Sequence, residues 1–325
     1  MRLVNYNDQR ETSEGFRTGF LVDDRVVDFG RVRHACTGVS GGCGCAQCWQ
    51  SALGLAMCED CLDAARGYAE WVEAQDEAAL HSLSAAVDAV KLLSPVPSPP
   101  KMLCLAQNFP SHAAESSTHI THSGESVADR MTPHVFMKPS TNTVCGQGDP
   151  IVIPRLAQFI DYEAEVVAVI GKRGKYIAAA DAMSYVAGVT AMNDVSERDL
   201  MIWERKDGRE WDSFFDWLNG KWMDSFAPMG PCLVPTGDLD VDDLDLRCLV
   251  NGEVRQVGNT SEMFHSVAQT IVYVSSILTL EPGDVIAMGT PGGVGKAIGI
   301  KLAPGDVVTV EVEGVGALTN PVVAE

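Results

Sequence analysis

The chain has 325 residues, of which 46 % are hydrophobic and 21 % charged, and it carries a formal net charge of −20. That is room for one large or two ordinary domains with real cores, and the acidic balance argues against nucleic acid and anionic membrane surfaces as partners. No stretch is long and apolar enough to span a bilayer, and Met1-Arg2-Leu3-Val4-Asn5-Tyr6 lacks the apolar segment of a secretory signal, so a soluble cytoplasmic protein is expected.

The first 33 residues predict short strands, with 19–22 and 25–29 flanking Asp23-Asp24 as a hairpin. A Gly- and Cys-rich loop follows at 37–48, inside an insertion spanning about 34–61. Six cysteines crowd there (Cys36, Cys43, Cys45, Cys48, Cys58 and Cys61), while Cys104, Cys145, Cys232 and Cys248 are scattered. A reducing compartment keeps such thiols free of disulfides. Cys45/Cys48 and Cys58/Cys61 are Cys-x-x-Cys pairs, the spacing of zinc knuckles, although they lie closer together than in a zinc ribbon. Two expectations stand: a structural zinc on Cys45, Cys48, Cys58 and Cys61, or a set of small semi-buried thiols.

Helical apolar spacing covers 51–74 and 76–90, which would place Cys58 and Cys61 one turn apart on a single face. Pro95-Val96-Pro97-Ser98-Pro99-Pro100 is a stiff linker, and divides a small N-terminal domain, 1–100, from a catalytic domain, 101–325. Beyond it the chain reads mostly as strands and Gly/Pro turns. Apolar runs at 102–106, 151–153, 186–192, 285–288 and 307–312 predict strands, and 246–250 and 253–255 flank Asn251-Gly252, a strong hairpin signal. Residues 266–278 form the one clear helix of this region. Without a regular β-then-α alternation, the fold class is α+β, mainly β, rather than a doubly wound sheet.

The chemistry centres on Asp161-Tyr162-Glu163-Ala164-Glu165, which opens the β-branched run 166–170. Alternation along a strand puts Glu163 and Glu165 on one face and Tyr162, Ala164, Val166 and Ile170 on the other. Adjacent carboxylates repel, so the pair points either to a hard divalent cation or to a solvated strand face. A bound cation would also let so acidic a chain take an anionic substrate. Asp194, at the end of the 186–192 run, is a third ligand, or an Asx turn or helix cap. His112 and Glu115 follow Pro110 at i and i+3, which makes a base with an orienting carboxylate, or an exposed pair. His119 and His122 sit in Ser/Thr-rich sequence and are not expected as ligands. Lys221, after Gly220 and between aromatics, is a shielded cation facing an anion. In Gly289-Thr290-Pro291-Gly292-Gly293-Val294-Gly295, backbone N–H groups and the Thr290 hydroxyl suit a carboxylate. Neither a dinucleotide fingerprint nor a P-loop is present.

These stretches, together with Phe136-Met137-Lys138-Pro139, Asn193-Asp194-Val195-Ser196-Glu197-Arg198-Asp199 and Val250-Asn251-Gly252-Glu253, resemble the fumarylacetoacetate hydrolase superfamily from about 102 to 323. The resemblance is closest to the acylpyruvate hydrolase and 2-hydroxyhepta-2,4-diene-1,7-dioate isomerase branch. It implies a mixed β-roll catalytic domain, a homodimer, and Mg²⁺ or Mn²⁺ on Glu163, Glu165 and Asp194. It further implies a His112/Glu115 dyad on a lid, Lys221 as a catalytic cation, and Thr290 on the substrate carboxylate. The chain departs from the family pattern at Ala106, Phe109 and Met201, and its Cys-rich insertion lies outside that pattern. The implied substrate is a small 2-oxo acid. Hydrolysis of an acylpyruvate is the first expectation, with oxaloacetate decarboxylation or 2-oxo acid isomerisation or tautomerisation next, and a non-enzymatic scaffold last. The aromatic stretch 203–217 would shape the choice of a bulky acyl group or form dimer surface.

Overall fold

The run 164–170 is apolar at every position but Glu165 and buried throughout, as a strand covered on both faces must be. It lies at the centre of the fold in the computed structural model, which describes residues 1–8, 15–36, 38–39, 41–115 and 131–325. His119 and His122 lie outside the described residues.

The strands are β1 (Leu3–Asp8), β2 (Arg17–Val22), β3 (Arg25–Asp28), β4 (Ser84–Ala86), β5 (Val90–Leu93), β6 (Met102–Ala106), β7 (His134–Lys138), β8 (Val144–Cys145), β9 (Ile151–Ile153), β10 (Ile160–Asp161), β11 (Ala164–Ile170), β12 (Val186–Asn193), β13 (Ser196–Glu197), β14 (Ala227–Pro235), β15 (Asp245–Val250), β16 (Glu253–Asn259), β17 (Val285–Ala287), β18 (Val307–Val312) and β19 (Gly316–Ala324). The helices are α1 (Phe29–Ala35), α2 (Ala52–Ala56), α3 (Glu59–Glu73), α4 (Glu77–Leu83), α5 (Pro110–Glu115), α6 (Ser140–Thr143), α7 (Asp212–Asn219), α8 (Val267–Ile277) and α9 (Gly295–Ile298). None of the described helices is long and apolar enough to cross a membrane.

The main sheet runs β4-β3-β2-β1-β14-β12-β11-β17-β6-β7, and a second runs β16-β15-β18-β19-β9. Alternate side chains of β11 serve different layers. Val166, Ala168 and Ile170 pack with Leu246, Cys248, Val308 and Val310 of the second sheet. Val167 and Val169 share a cluster with Leu55, Cys61, Leu62 and Tyr68 of the N-terminal helices. The central sheet is thus a filling between a second sheet and a helical layer, and the architecture is an α+β fold of the expected class. Pairing of Leu3 with Leu233 joins β1 to β14. One continuous sheet therefore runs across the division proposed at residue 100.

Local readings of the sequence hold where short-range chemistry decides. Asp23 has a positive φ in the β2–β3 turn, as do Asn251 and Gly252 in the β15–β16 hairpin. Ser266 and Gln269 form a reciprocal capping box at the start of α8. Three readings are corrected. The helical pattern at 76–90 ends at Leu83, because 84–86 pairs with β3 and 90–93 with β1, so sheet hydrogen bonds override helical spacing. The pattern at 51–74 is interrupted at Met57-Cys58, where Cys58 is extended and caps α3. The helix at 266–278 is not alone in its region: α7 begins within the aromatic stretch assigned above only to substrate choice or dimer surface.

Candidate active site

Glu163 and Glu165 do not lie on one uninterrupted strand. Tyr162-Glu163 forms a break between β10 and β11, since β10 pairs with β13 while β11 pairs with β12. The predicted alternation survives the break: Tyr162, Ala164 and Val166 face the second sheet. Glu163 and Glu165 are 4 % and 1 % exposed, which disposes of the solvated face. Asp194 directly follows β12 and donates its backbone N–H to the Glu163 carbonyl (2.8 Å), so strand pairing itself brings the third carboxylate to the first two. One oxygen from each of Glu163, Glu165 and Asp194 can be chosen so that all lie within 4.8 Å of one another.

Three cations compensate this acid cluster. Lys221 Nζ donates to Glu163 Oε2 and to Asp194 Oδ2, both at 2.7 Å. Lys138, buried in β7, pairs with Asp194 and donates to the Val195 carbonyl (3.0 Å). Arg198 bridges Asp161 and Glu163. Burial works against ionisation of Glu163, yet Arg198 and Lys221 hold its carboxyl well below the usual range. Glu165 is placed differently. It accepts one hydrogen bond from Gly289 N (2.8 Å) and has no cation in direct contact among the described residues. Burial pushes its carboxyl well above the usual range, and Asp194 and Glu163 add to the push. Three convergent buried carboxylates, one without a counter-charge, fit a hard divalent cation bound through oxygen.

His112 and Glu115 lie on α5, with His112 Nδ1 3.2 Å from Glu115 Oε2. The dyad is tied to the 289–295 loop, because Gly293 N donates to Glu115 Oε1 (2.6 Å) and Gly292 N to Ser111 Oγ (3.0 Å). Gly293 has φ +97°, and a Cβ there would sit 2.1 Å from the Arg255 carbonyl, so only glycine lets the loop approach. Asn108 anchors the start of α5 by donating to the His265 (3.0 Å) and Met288 (2.8 Å) carbonyls. Thr290 is buried, and its hydroxyl accepts from Gln256 Nε2 (2.8 Å), which leaves the hydroxyl proton to point outward.

A cavity of about 840 Å³ is lined by His112, Glu115, Glu163, Glu165, Lys221 and Thr290. Of the seven predicted site residues only Asp194 lies behind its wall, where it holds both lysines. Phe136, Phe214 and Trp217 make an aromatic side, with Phe136 and Trp217 edge-to-face at 5.1 Å. Trp203 and Trp211 are instead exposed. Sequence reasoning assigned no role to Lys138, Arg198, Asp161 or Gln256. Lys138, Asp161 and Arg198 stood within matched stretches, and a charged residue ending the apolar run of β7 was the available signal for Lys138, whereas Gln256 lies in a mostly polar strand that offered none.

The Gln256 contact makes a prediction. In Gln256→Leu the Thr290 hydroxyl loses its donor and turns freely. KM for the substrate is expected to rise roughly tenfold, about 1.4 kcal/mol, with a smaller change in kcat. Steady-state kinetics of the variant, with its melting temperature as a control, check this.

The cysteine quartet is also corrected. Cys43, Cys48, Cys58 and Cys61 converge, and Cys45 is not a member of the set. Cys45 is the residue before a 3₁₀ turn at Ala46–Gln50, whereas Cys43 is carried back over the start of α3.

Residues 101–323 match the family model of the fumarylacetoacetate (FAA) hydrolase C-terminal domain. The chain is 38 % identical over 260 residues to a mitochondrial oxaloacetate tautomerase of Xenopus laevis, covering 76 % of each. It is 39 % identical over 237 residues to the human mitochondrial oxaloacetate tautomerase, covering 72 % of this chain and 70 % of that one. Among solved structures it resembles maleylpyruvate hydrolase from Sphingobium sp. SYK-6 in complex with manganese(II) and pyruvate, with TM-score 0.69, 26 % identity and coverage of 100 % and 99 %. It also resembles 2-hydroxyhepta-2,4-diene-1,7-dioate isomerase from Mycobacterium marinum, with TM-score 0.68, 27 % identity and the same coverage.

Proposed function

Because the chain belongs to the fumarylacetoacetate hydrolase family, we propose that it is an enzyme that hydrolyses a C–C bond of an acylpyruvate, R–CO–CH₂–CO–COO⁻, to pyruvate and a carboxylic acid. The observation that carries this reading is one cavity lined both by a His112/Glu115 pair and by Glu163 and Glu165, with Asp194 against them and no cation in direct contact with Glu165 among the described residues. Glu163, Glu165 and Asp194 would hold Mg²⁺ or Mn²⁺, which supplies Lewis-acid polarisation of the 2-oxo acid.

The rest of the chemistry falls to side chains. Thr290 donates to the substrate carboxylate. Glu115 accepts from His112 Nδ1–H, which leaves Nε2 to take a proton from water. The resulting hydroxide adds to the distal carbonyl. Two of the three Lys221 donors are engaged by Glu163 and Asp194, and the third meets the developing oxyanion. Collapse breaks the C–C bond, the released pyruvate carbon takes a proton, and the acyl carbon leaves as the acid. Phe136, Phe214 and Trp217 favour a bulky or aromatic R group.

A second reading is supported by the oxaloacetate tautomerases at 38–39 % identity: proton shuttling on an oxaloacetate-like 2-oxo acid without attack by water. A panel of acylpyruvates and oxaloacetate, assayed with Mg²⁺ or Mn²⁺ for loss of enol absorbance and release of pyruvate, decides between them. Acylpyruvate cleavage is expected, abolished by chelation and restored by either metal. Enol–keto exchange of oxaloacetate with no cleavage of any acylpyruvate would establish the second reading instead.

A further inference from the structure

From the convergence of Cys43, Cys48, Cys58 and Cys61 in the N-terminal module, we propose a structural tetrathiolate zinc site, separate from the carboxylate cluster. The four ligand sulfurs lie within 4.8 Å of one another, with Cys43 Sγ 3.5 Å from Cys48 Sγ and 3.4 Å from Cys61 Sγ. A zinc ion with Zn–S bonds of about 2.3 Å holds its four sulfurs about 3.8 Å apart, so these spacings match a tetrahedral set. A disulfide needs about 2.05 Å between two sulfurs and would split the four into pairs. All four thiols are free here.

The backbone around the cluster is that of a thiolate site. Cys43 N donates to Cys61 Sγ at 3.5 Å. Cys58 is the N-cap of α3 and Cys61 lies in its first turn, where the positive end of a 15-residue helix favours a thiolate. Gly42, at φ +92°, bends the chain so that a Cβ there would already touch Cys61 Sγ at 3.6 Å. Thiolate ligands select zinc over the hard cations suited to the carboxylates.

The arrangement also gives the ion a task. The four sulfurs join the 41–48 loop to the start of α3. Between them lies α2, which packs on β1, β12 and β14, and Ala52 N donates to Asn5 Oδ1 of β1 at 2.8 Å. Trp49 closes the other side, stacked edge-on against Phe29 and Tyr68 with Arg33 over its ring at 4.4 Å. A bound ion therefore clamps the insertion to the sheet that carries the catalytic cluster.

The test uses the reduced full-length protein with excess Mg²⁺ to occupy the oxygen site. Zinc is added, free metal removed, and bound metal measured. Stoichiometric zinc is expected in the wild type and in Cys45→Ser, with loss in Cys43→Ser and Cys61→Ser. Cobalt in place of zinc should give the intense thiolate-to-cobalt charge-transfer band of a tetrahedral site, and zinc removal should lower the melting temperature of the wild type. A wild type that keeps no zinc, keeps iron only, or binds cobalt without that band overturns the proposal. So does equal loss in Cys45→Ser and Cys43→Ser. Should a serine variant fail to fold, the wild-type zinc content and cobalt spectrum decide, and neither depends on turnover.

Discussion

Replacing His112 by alanine is expected to lower kcat for an acylpyruvate by roughly 10²–10⁴-fold, the usual contribution of a positioned general base. KM should change little, because in the proposed mechanism His112 meets water and the substrate carboxylate is left to Thr290. Folding should be nearly unchanged. The His112 side chain is 15 % exposed, and the hydrogen bonds that fix α5 run through Asn108, Ser111 and Glu115 rather than through the imidazole. Glu115→Gln should give a smaller loss, since the amide still meets Gly293 N but no longer orients the imidazole as a carboxylate does. The same variant separates hydrolysis from decarboxylation, whereas proton shuttling by a tautomerase needs the same base and would be lost with it. Hydrolysis needs an activated water and fails without the base. A reaction that only stabilises an enolate, such as decarboxylation of oxaloacetate, would keep much of its rate. Measuring both reactions on one preparation of His112→Ala, with circular dichroism to confirm folding, makes the comparison internal. Hydrolysis that survives within a factor of about ten would remove His112 from the role of base.

Residues whose chemistry is local were legible in the sequence. The β15–β16 hairpin, the capped helix α8 and the apolar run of β11 follow from turn chemistry, capping and side-chain alternation, all set within a few positions. The acid cluster was legible as residue types, and the hydrogen bond from Asp194 N to the Glu163 carbonyl explains why residues 31 apart in sequence converge. What was illegible depended on distant partners. Residues 84–90 read as helix because their period fits one, but β1 and β3 offer strand edges that the period does not encode. Cys45 satisfied the Cys-x-x-Cys spacing and was still excluded, since the glycines at 41, 42 and 44 take positive φ and carry Cys43 to Cys61. Lys138 and Arg198 stood in plain view, but a lone cation in a strand or loop names no partner until the fold delivers the acids.

The second large effect falls on Lys221, and here stability and rate are lost together. Lys221 is 2 % exposed, and its ammonium is the cation shared by Glu163 and Asp194. Burial alone would lower its pKa, but the two carboxylates more than offset this and hold it above the ordinary lysine value. Lys221→Met keeps the side chain's bulk and removes the charge, so two buried carboxylates lose a partner beside Glu165, which already lacks one. Breaking such a buried pair costs about 3–5 kcal/mol, read as a shift in a denaturant unfolding curve. Added Mg²⁺ or Mn²⁺ should recover part of that loss by supplying charge to the same oxygens, whereas it should stabilise the wild type less. Loss of the oxyanion donor should lower kcat by a further 10²–10³-fold or so even in the refolded, metal-saturated variant. Lys138→Met provides the contrast. Lys138 pairs with the same Asp194 but lines no part of the cavity, and burial lowers its pKa despite that partner. Its removal should cost stability of similar size with a much smaller loss of kcat, so the pair of variants separates the charge balance of the cluster from contact with the reacting atoms. Equal losses of kcat in the two would mean that Lys221 acts only by holding the acids together.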